Sequence, residues 1–151
     1  MNRLLPSVLS TAMLTVLSVL PHARAAEHVV LMLNTGKAGP MVFEPSFVRA
    51  AVGDTVVFKP AQPGGHNSVA LLVPAGATAW AGEPDKETRV KVQHEGVYLY
   101  ACTPHKVMGM VGVIQVGKAV NLAAAKAAAT KESATFALGK DRFDQALTQV
   151  R

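Results

Sequence analysis

The chain has 151 residues, half of them hydrophobic, with 15 basic and 10 acidic side chains and a formal net charge of +5. This is one domain's worth of chain, enough for a core that needs no staples. Acids and bases are interspersed, no basic run occurs and aromatic residues make up only 5%, so nothing points to nucleic-acid binding.

In chain order, the first feature is a leader. Arg3 supplies a positive start, and Leu4 to Leu20 is largely apolar. That run is short for a membrane span and is interrupted by Pro6, Ser7, Ser10, Thr11, Thr15 and Ser18. Pro21 disturbs any helix, and Ala23-Arg24-Ala25 has the small-x-small form of a cleavage site. We expect a signal peptide over residues 1–25 and a mature chain from Ala26. No pair of adjacent arginines marks a twin-arginine route, and no cysteine at the cut offers a lipid anchor. Arg3 and Arg24 leave with the leader, which lowers the net charge to +3. No later apolar segment is long enough to cross a bilayer, so no membrane attachment is expected after cleavage.

Residues 26–118 read as short strands: His28–Asn34, Phe47–Ala50, Thr55–Lys59, His66–Val73, Thr88–Gln93, Val97–Ala101 and Val111–Val116. Thr88-Arg89-Val90-Lys91-Val92-Gln93 alternates apolar with polar, as a strand with one buried face does. The breaks carry turn residues: Gly36 to Pro40, Gly53-Asp54, Pro63-Gly64-Gly65, Gly82 to Asp85, and Glu95-Gly96. Seven short strands at this spacing predict a mainly β fold, a two-sheet Greek-key sandwich. Residues 119–151 change character. Asn121 is placed to cap a helix over Leu122 to Thr130. A second helix is expected from Asp141, with Phe143, Leu147 and Val150 on one stripe. Two helices this weak alone must dock on the sandwich as an appendage of the same domain.

The chemistry concentrates in Cys102-Thr103-Pro104-His105-Lys106-Val107-Met108-Gly109-Met110, a loop between two predicted strands. Cys102 is the single cysteine, so no intrachain disulfide protects it in an oxidising compartment; a bound metal would. His66 lies upstream, opening another predicted strand. If those strands are neighbours, the loop and His66 meet at one end of the sandwich. Thiolate and thioether sulfur favour soft metals and imidazole suits copper and zinc; two histidines, one thiolate and a weak axial methionine define a blue-copper site. Taken singly, Cys102 reads as a small buried hydrophobe and each methionine as core. Together they read as one copper ion cycling between Cu(I) and Cu(II), with four protein ligands and no position for a substrate, hence not an enzyme. Structural zinc takes several cysteines and not methionine. A Cys102–His105 nucleophilic hydrolase lacks a group to orient its base. A copper storage or delivery protein is the main alternative to an electron carrier. His22, His28 and His94 read as solvated side chains, Trp80, Tyr98 and Tyr100 as packing.

These residues also carry a resemblance. Met32-Leu33-Asn34, Met41-Val42-Phe43-Glu44-Pro45, Gly53-Asp54-Thr55-Val56, Gly65-His66-Asn67, Cys102-Thr103-Pro104-His105 with Met108-Gly109-Met110, and two C-terminal helices resemble the pseudoazurins, blue-copper cupredoxins of the bacterial periplasm. Spacing alone leaves Met108 and Met110 both open as the axial ligand. The resemblance selects Met110 and implies the ligand set His66, Cys102, His105 and Met110. It also implies a monomeric periplasmic electron carrier. Electrons would cross at the His105 edge, through an apolar patch of Met41, Gly65, Pro104 and Met108. Lys37, Lys59, Lys86, Lys91 and Lys106 would steer acidic redox partners such as a nitrite reductase, or a c-type cytochrome. Asn67 is expected to donate its N–H to the cysteine sulfur and to tie the His66 segment to Thr103. Pro104 is expected to deny that sulfur a second donor. Ala101 and Lys106 depart from the family pattern, where a lysine and an aromatic residue are common.

Overall fold

The computed structural model of the chain describes residues 25–151; the expected leader, apart from Ala25, lies outside them. Among the described residues eight strands form two four-stranded sheets. They are β1 (Glu27–Gly36), β2 (Gly39–Glu44), β3 (Phe47–Ala50), β4 (Thr55–Pro60), β5 (Val69–Leu72), β6 (Thr88–Lys91), β7 (Gly96–Ala101) and β8 (Val111–Val116), followed by α1 (Leu122–Ser133) and α2 (Arg142–Leu147). The first sheet runs β2-β1-β4-β6 and the second β3-β8-β7-β5. β1 pairs parallel with β4, and β3 parallel with β8. The expected two-sheet sandwich with two C-terminal helices is the fold observed.

Alternation in β7 explains where the chemistry falls. Tyr98 and Tyr100, continued by Cys102, join the core between the sheets with Phe43, Phe58 and Met110. Val97, Leu99 and Ala101 face the other way and pack with Ala125, Ala129, Phe136 and Phe143 of the helical tail. Successive side chains of a strand point to opposite faces, so a strand covered on both faces is largely apolar, and every residue of β7 and β8 is buried, including the hydrogen-bonded Gln115 of β8. Ala101 is therefore core against the helices and not part of an exposed face.

Three elements differ from the expectation. β2 was not anticipated: Gly36 to Pro40 reads as a break, yet Gly36 pairs with Gly39 across the Lys37-Ala38 turn of a β1–β2 hairpin. The strand expected from His66 begins only at Val69. The His66 N–H is taken by the Asp85 carboxylate at 3.0 Å and not by a ladder partner. Asn121 stands before α1 but makes no cap bond. Its Oδ1 accepts the Val97 N–H at 2.7 Å and its Nδ2 donates to the Val97 carbonyl at 2.9 Å. β5 pairs with β7 only from Leu99 onward, so Asn121 supplies the partner that the buried Val97 backbone otherwise lacks.

Candidate metal centre

The site lies where the loop between β7 and β8 meets the loop before β5. Cys102 leaves β7 pointing into the inter-sheet core. Its N–H donates to the Met110 carbonyl at 3.0 Å, closing the ligand loop at its base. The Met108 and Met110 N–H groups both donate to the His105 carbonyl, at 2.9 and 3.3 Å. A short 3-10 turn, Lys106–Met108, fills the loop's tip.

His66, Cys102 and His105 come together. One ligand atom from each lies within 4.8 Å of the others. Cys102 Sγ is 3.4 Å from His105 Nδ1 and 3.9 Å from His66 Nδ1. Cys102 and His66 are fully buried, and His105 is half-buried. Met110 is fully buried in the same core as Cys102, whereas Met108 is half-buried.

His66 is prepared for a cation. Its Nε2 lies 2.8 Å from Asn34 Oδ1, while Asn34 Nδ2 donates to the Pro63 carbonyl at 3.0 Å. The second bond orients the amide, so Nε2 carries the proton and Nδ1 presents its lone pair toward the sulfur. Burial, and then the neighbouring His105 ring, push the His66 pKa down, which favours its neutral form. Asp85 shapes the approach to it. Its carboxylate accepts N–H groups from Gly65 at 2.9 Å, His66 at 3.0 Å and Gly64 at 3.3 Å. Those bonds, led by Gly65, hold the Asp85 carboxyl below the usual range.

Cys102 is a free, buried thiol. Burial pushes its pKa up, and the N–H groups of Asn67 and His105 pull the other way. Pro104 has no N–H to offer the sulfur, and the His105 N–H that follows it donates to the Cys102 carbonyl at 3.2 Å. Asn67 ties the two loops as expected, with its Oδ1 on the Thr103 N–H at 2.8 Å and its Nδ2 on Thr103 Oγ1 at 3.3 Å.

The donors suit copper. A buried thiol becomes a thiolate only where a cation offsets the loss of water. One soft sulfur beside two imidazoles is the donor set that selects copper over magnesium or calcium.

Sequence reading missed Asn34 and Asp85 as supports of His66, because contacts 32 and 19 residues apart leave no local signal. It also took Lys106 for a free surface charge. Lys106 Nζ is paired with Glu132 of α1 at 2.7 Å. Lys59 and Lys86 have looser, exposed partners in Glu87 and Glu83 at 3.8 and 3.9 Å. His28 is not simply solvated: its Nε2 lies 2.8 Å from Asp54 Oδ2.

The chain matches the family model described as copper binding proteins, plastocyanin/azurin family, over residues 30–117. It is 40% identical over 145 residues to a pseudoazurin of Paracoccus pantotrophus, covering 94% of this chain and 96% of that protein. Among solved structures, it is similar to pseudoazurin from Methylobacterium extorquens AM1, with a TM-score of 0.72 and 36% identity, covering 83% of this chain and 99% of that one. Native pseudoazurin from Hyphomicrobium denitrificans aligns with a TM-score of 0.70 and 37% identity, covering 83% and 98%.

Proposed function

The chain belongs to the pseudoazurins, within the plastocyanin/azurin family of copper-binding proteins, and on that premise we propose that His66, Cys102, His105 and Met110 hold its one copper ion for single-electron transport in the periplasm. The reading is carried by one thiol sulfur and two imidazole nitrogens within 4.8 Å of one another, with Cys102 and His66 buried and His105 half-buried. Met110, fully buried beside Cys102, is favoured over the half-buried Met108 as the axial donor. Copper, when bound, supplies a reversible one-electron couple.

The protein's own part is to hold the donors still. Asn34 fixes the His66 tautomer, Asp85 fixes its backbone, and Asn67 locks the His66 segment to Thr103. A set of donors that moves little between oxidation states keeps exchange fast. Four protein donors also leave no open position for a substrate. His105, the ligand ring that is only half-buried, is the edge at which electrons enter and leave. A nitrite reductase or a c-type cytochrome is the class of partner proposed to dock there briefly, as weak redox encounters do. The leader is removed after Ala25, the sandwich and both helices then form one domain, and the protein acts as a monomer.

A visible spectrum and voltammetry of the copper-loaded protein test this. An intense thiolate-to-copper band with a reversible one-electron wave, both lost in Cys102→Ser, is the expected result. A colourless protein that passes Cu(I) readily to a chelator would instead make it a copper-delivery protein.

A further inference from the structure

Arg142, the first residue of α2, spends its side chain on main-chain carbonyls of two other segments. Its Nη1 lies 2.8 Å from the Met41 carbonyl, 3.1 Å from that of Gly109 and 3.2 Å from that of Met108. Its Nη2 lies 3.0 Å from the Pro40 carbonyl and 3.1 Å from that of Ala38. Among the described residues no carboxylate forms an ion pair with it. Five carbonyls in two groups suit the rigid planar fork of a guanidinium, and a lysine ammonium has neither the reach nor the donor count to replace it.

The segments it joins are those around the ligand loop. Met108 and Gly109 run directly into Met110. Met41 has a φ of +50°, a left-handed conformation that a non-glycine residue keeps only where its surroundings hold it. The rest of the C-terminal tail grips the same loop. Lys106 is paired with Glu132, and the Val107 carbonyl accepts N–H groups from Ala137 at 2.7 Å and Leu138 at 3.3 Å. Gly109, at a φ of +72°, rests on the chain between the helices; a Cβ there would lie 2.8 Å from the Gly139 carbonyl oxygen. Every residue from Lys106 to Gly109 is thus touched by the tail.

We infer that Arg142 is a positioning residue for the copper loop: it pins Met108 and Gly109 against the β1–β2 hairpin and so sets how firmly Met110 is presented to the metal. This rests on the copper reading above. Loosening the pin lets the Met110 thioether drift, and a changed axial contact changes both the thiolate spectrum and the reduction potential.

The test compares Arg142→Met, of similar length without donors, and Arg142→Lys with the parent. In the copper-free protein, amide hydrogen exchange at Met108, Gly109 and Met110 is expected to speed up about tenfold or more in R142M and less in R142K, with β7 and β8 amides unchanged. In the copper-loaded protein, both variants are expected to keep one copper but to shift the intensity ratio of the thiolate charge-transfer bands and the potential. Exchange that rises evenly across the whole protein, or a spectrum and potential identical to the parent's, overturns the proposal. If R142M fails to fold, R142K decides by the same criteria. A parent with no blue band would sink the copper reading, and Arg142's pinning would still be judged by exchange.

Discussion

Asn67 and Thr103 hold each other through both atoms of one amide: Oδ1 takes the Thr103 N–H at 2.8 Å while Nδ2 reaches the Thr103 hydroxyl at 3.3 Å. The pair joins the segment carrying His66 to the residue after Cys102. Asn67 is nearly buried, so Asn67→Ala leaves the Thr103 N–H without its partner. A loss of about 1–3 kcal/mol in urea unfolding is expected, with a broadened thiolate band as the two loops lose their mutual register. An unfolding midpoint equal to the parent's would refute it.

Asn34→Ala removes the acceptor that keeps the proton of His66 on Nε2. Copper should still bind, but roughly 10–100-fold more weakly, the usual cost of losing a partner behind a ligand histidine. Competition against a chelator of known affinity reads this directly. Gly64→Ala attacks the same bond sterically, because a Cβ there would collide with Asn34 Oδ1. It should weaken copper in the same direction.

Asp54 gives the protein an acid limb. Its carboxyl is held at about 2, below the ordinary 3.8, chiefly by the His28 ring and then by the Ala51 and Ala26 N–H groups. A carboxylate with a depressed folded-state pKa stabilises fully above its unfolded value and loses that contribution as pH falls through the window between 3.8 and about 2. Unfolding midpoints taken from neutral pH down into that window should fall more steeply for the parent than for Asp54→Asn. Parallel curves would remove Asp54 from the account.

The Lys106–Glu132 pair predicts a charge effect that needs no physiological partner. Glu132→Gln leaves the Lys106 ammonium unpaired beside the His105 edge. Electron self-exchange between two copies should then slow at low ionic strength and recover as salt screens the repulsion. Lys106→Gln should show a weaker salt dependence than Glu132→Gln. A pair this exposed contributes at most about 1 kcal/mol to stability, so neither change should unfold the protein.

Phe143 tests whether the tail is part of the domain. It is fully buried between α2 and the outer face of the second sheet. Phe143→Ala should cost about 3–5 kcal/mol, with one unfolding transition seen alike by a tail probe and a sandwich probe. Two separate transitions would make the helices an independent unit.

What the sequence made legible followed from periodicity and from soft donors in one short loop. β8 was read from end to end, since an apolar run between turn residues has no competing reading. His66, Cys102 and His105 were found because thiol and imidazole are rare and their chemistry is specific. β2 escaped because glycine and proline at Gly39-Pro40 look like punctuation when they are the opening of a strand. Asn121 looked like a helix cap because its position fits one, and only the unpaired backbone of Val97 shows why it is used elsewhere. The supporting roles of Asn34, Asp85 and Arg142 are not legible, since each acts on a segment that only folding brings near.

The bond between the Cys102 N–H and the Met110 carbonyl seals the ligand loop off from the sheets at its base. A hairpin closed in that way is ordinarily a cassette, open to trimming or extension without disturbing the frame beneath. Here the tail clasps its far end, so a loop of another length grafted onto this frame would arrive without its clasp. Recombination among related proteins would then have to carry loop and tail together, as one inherited block separated in the gene by an entire strand.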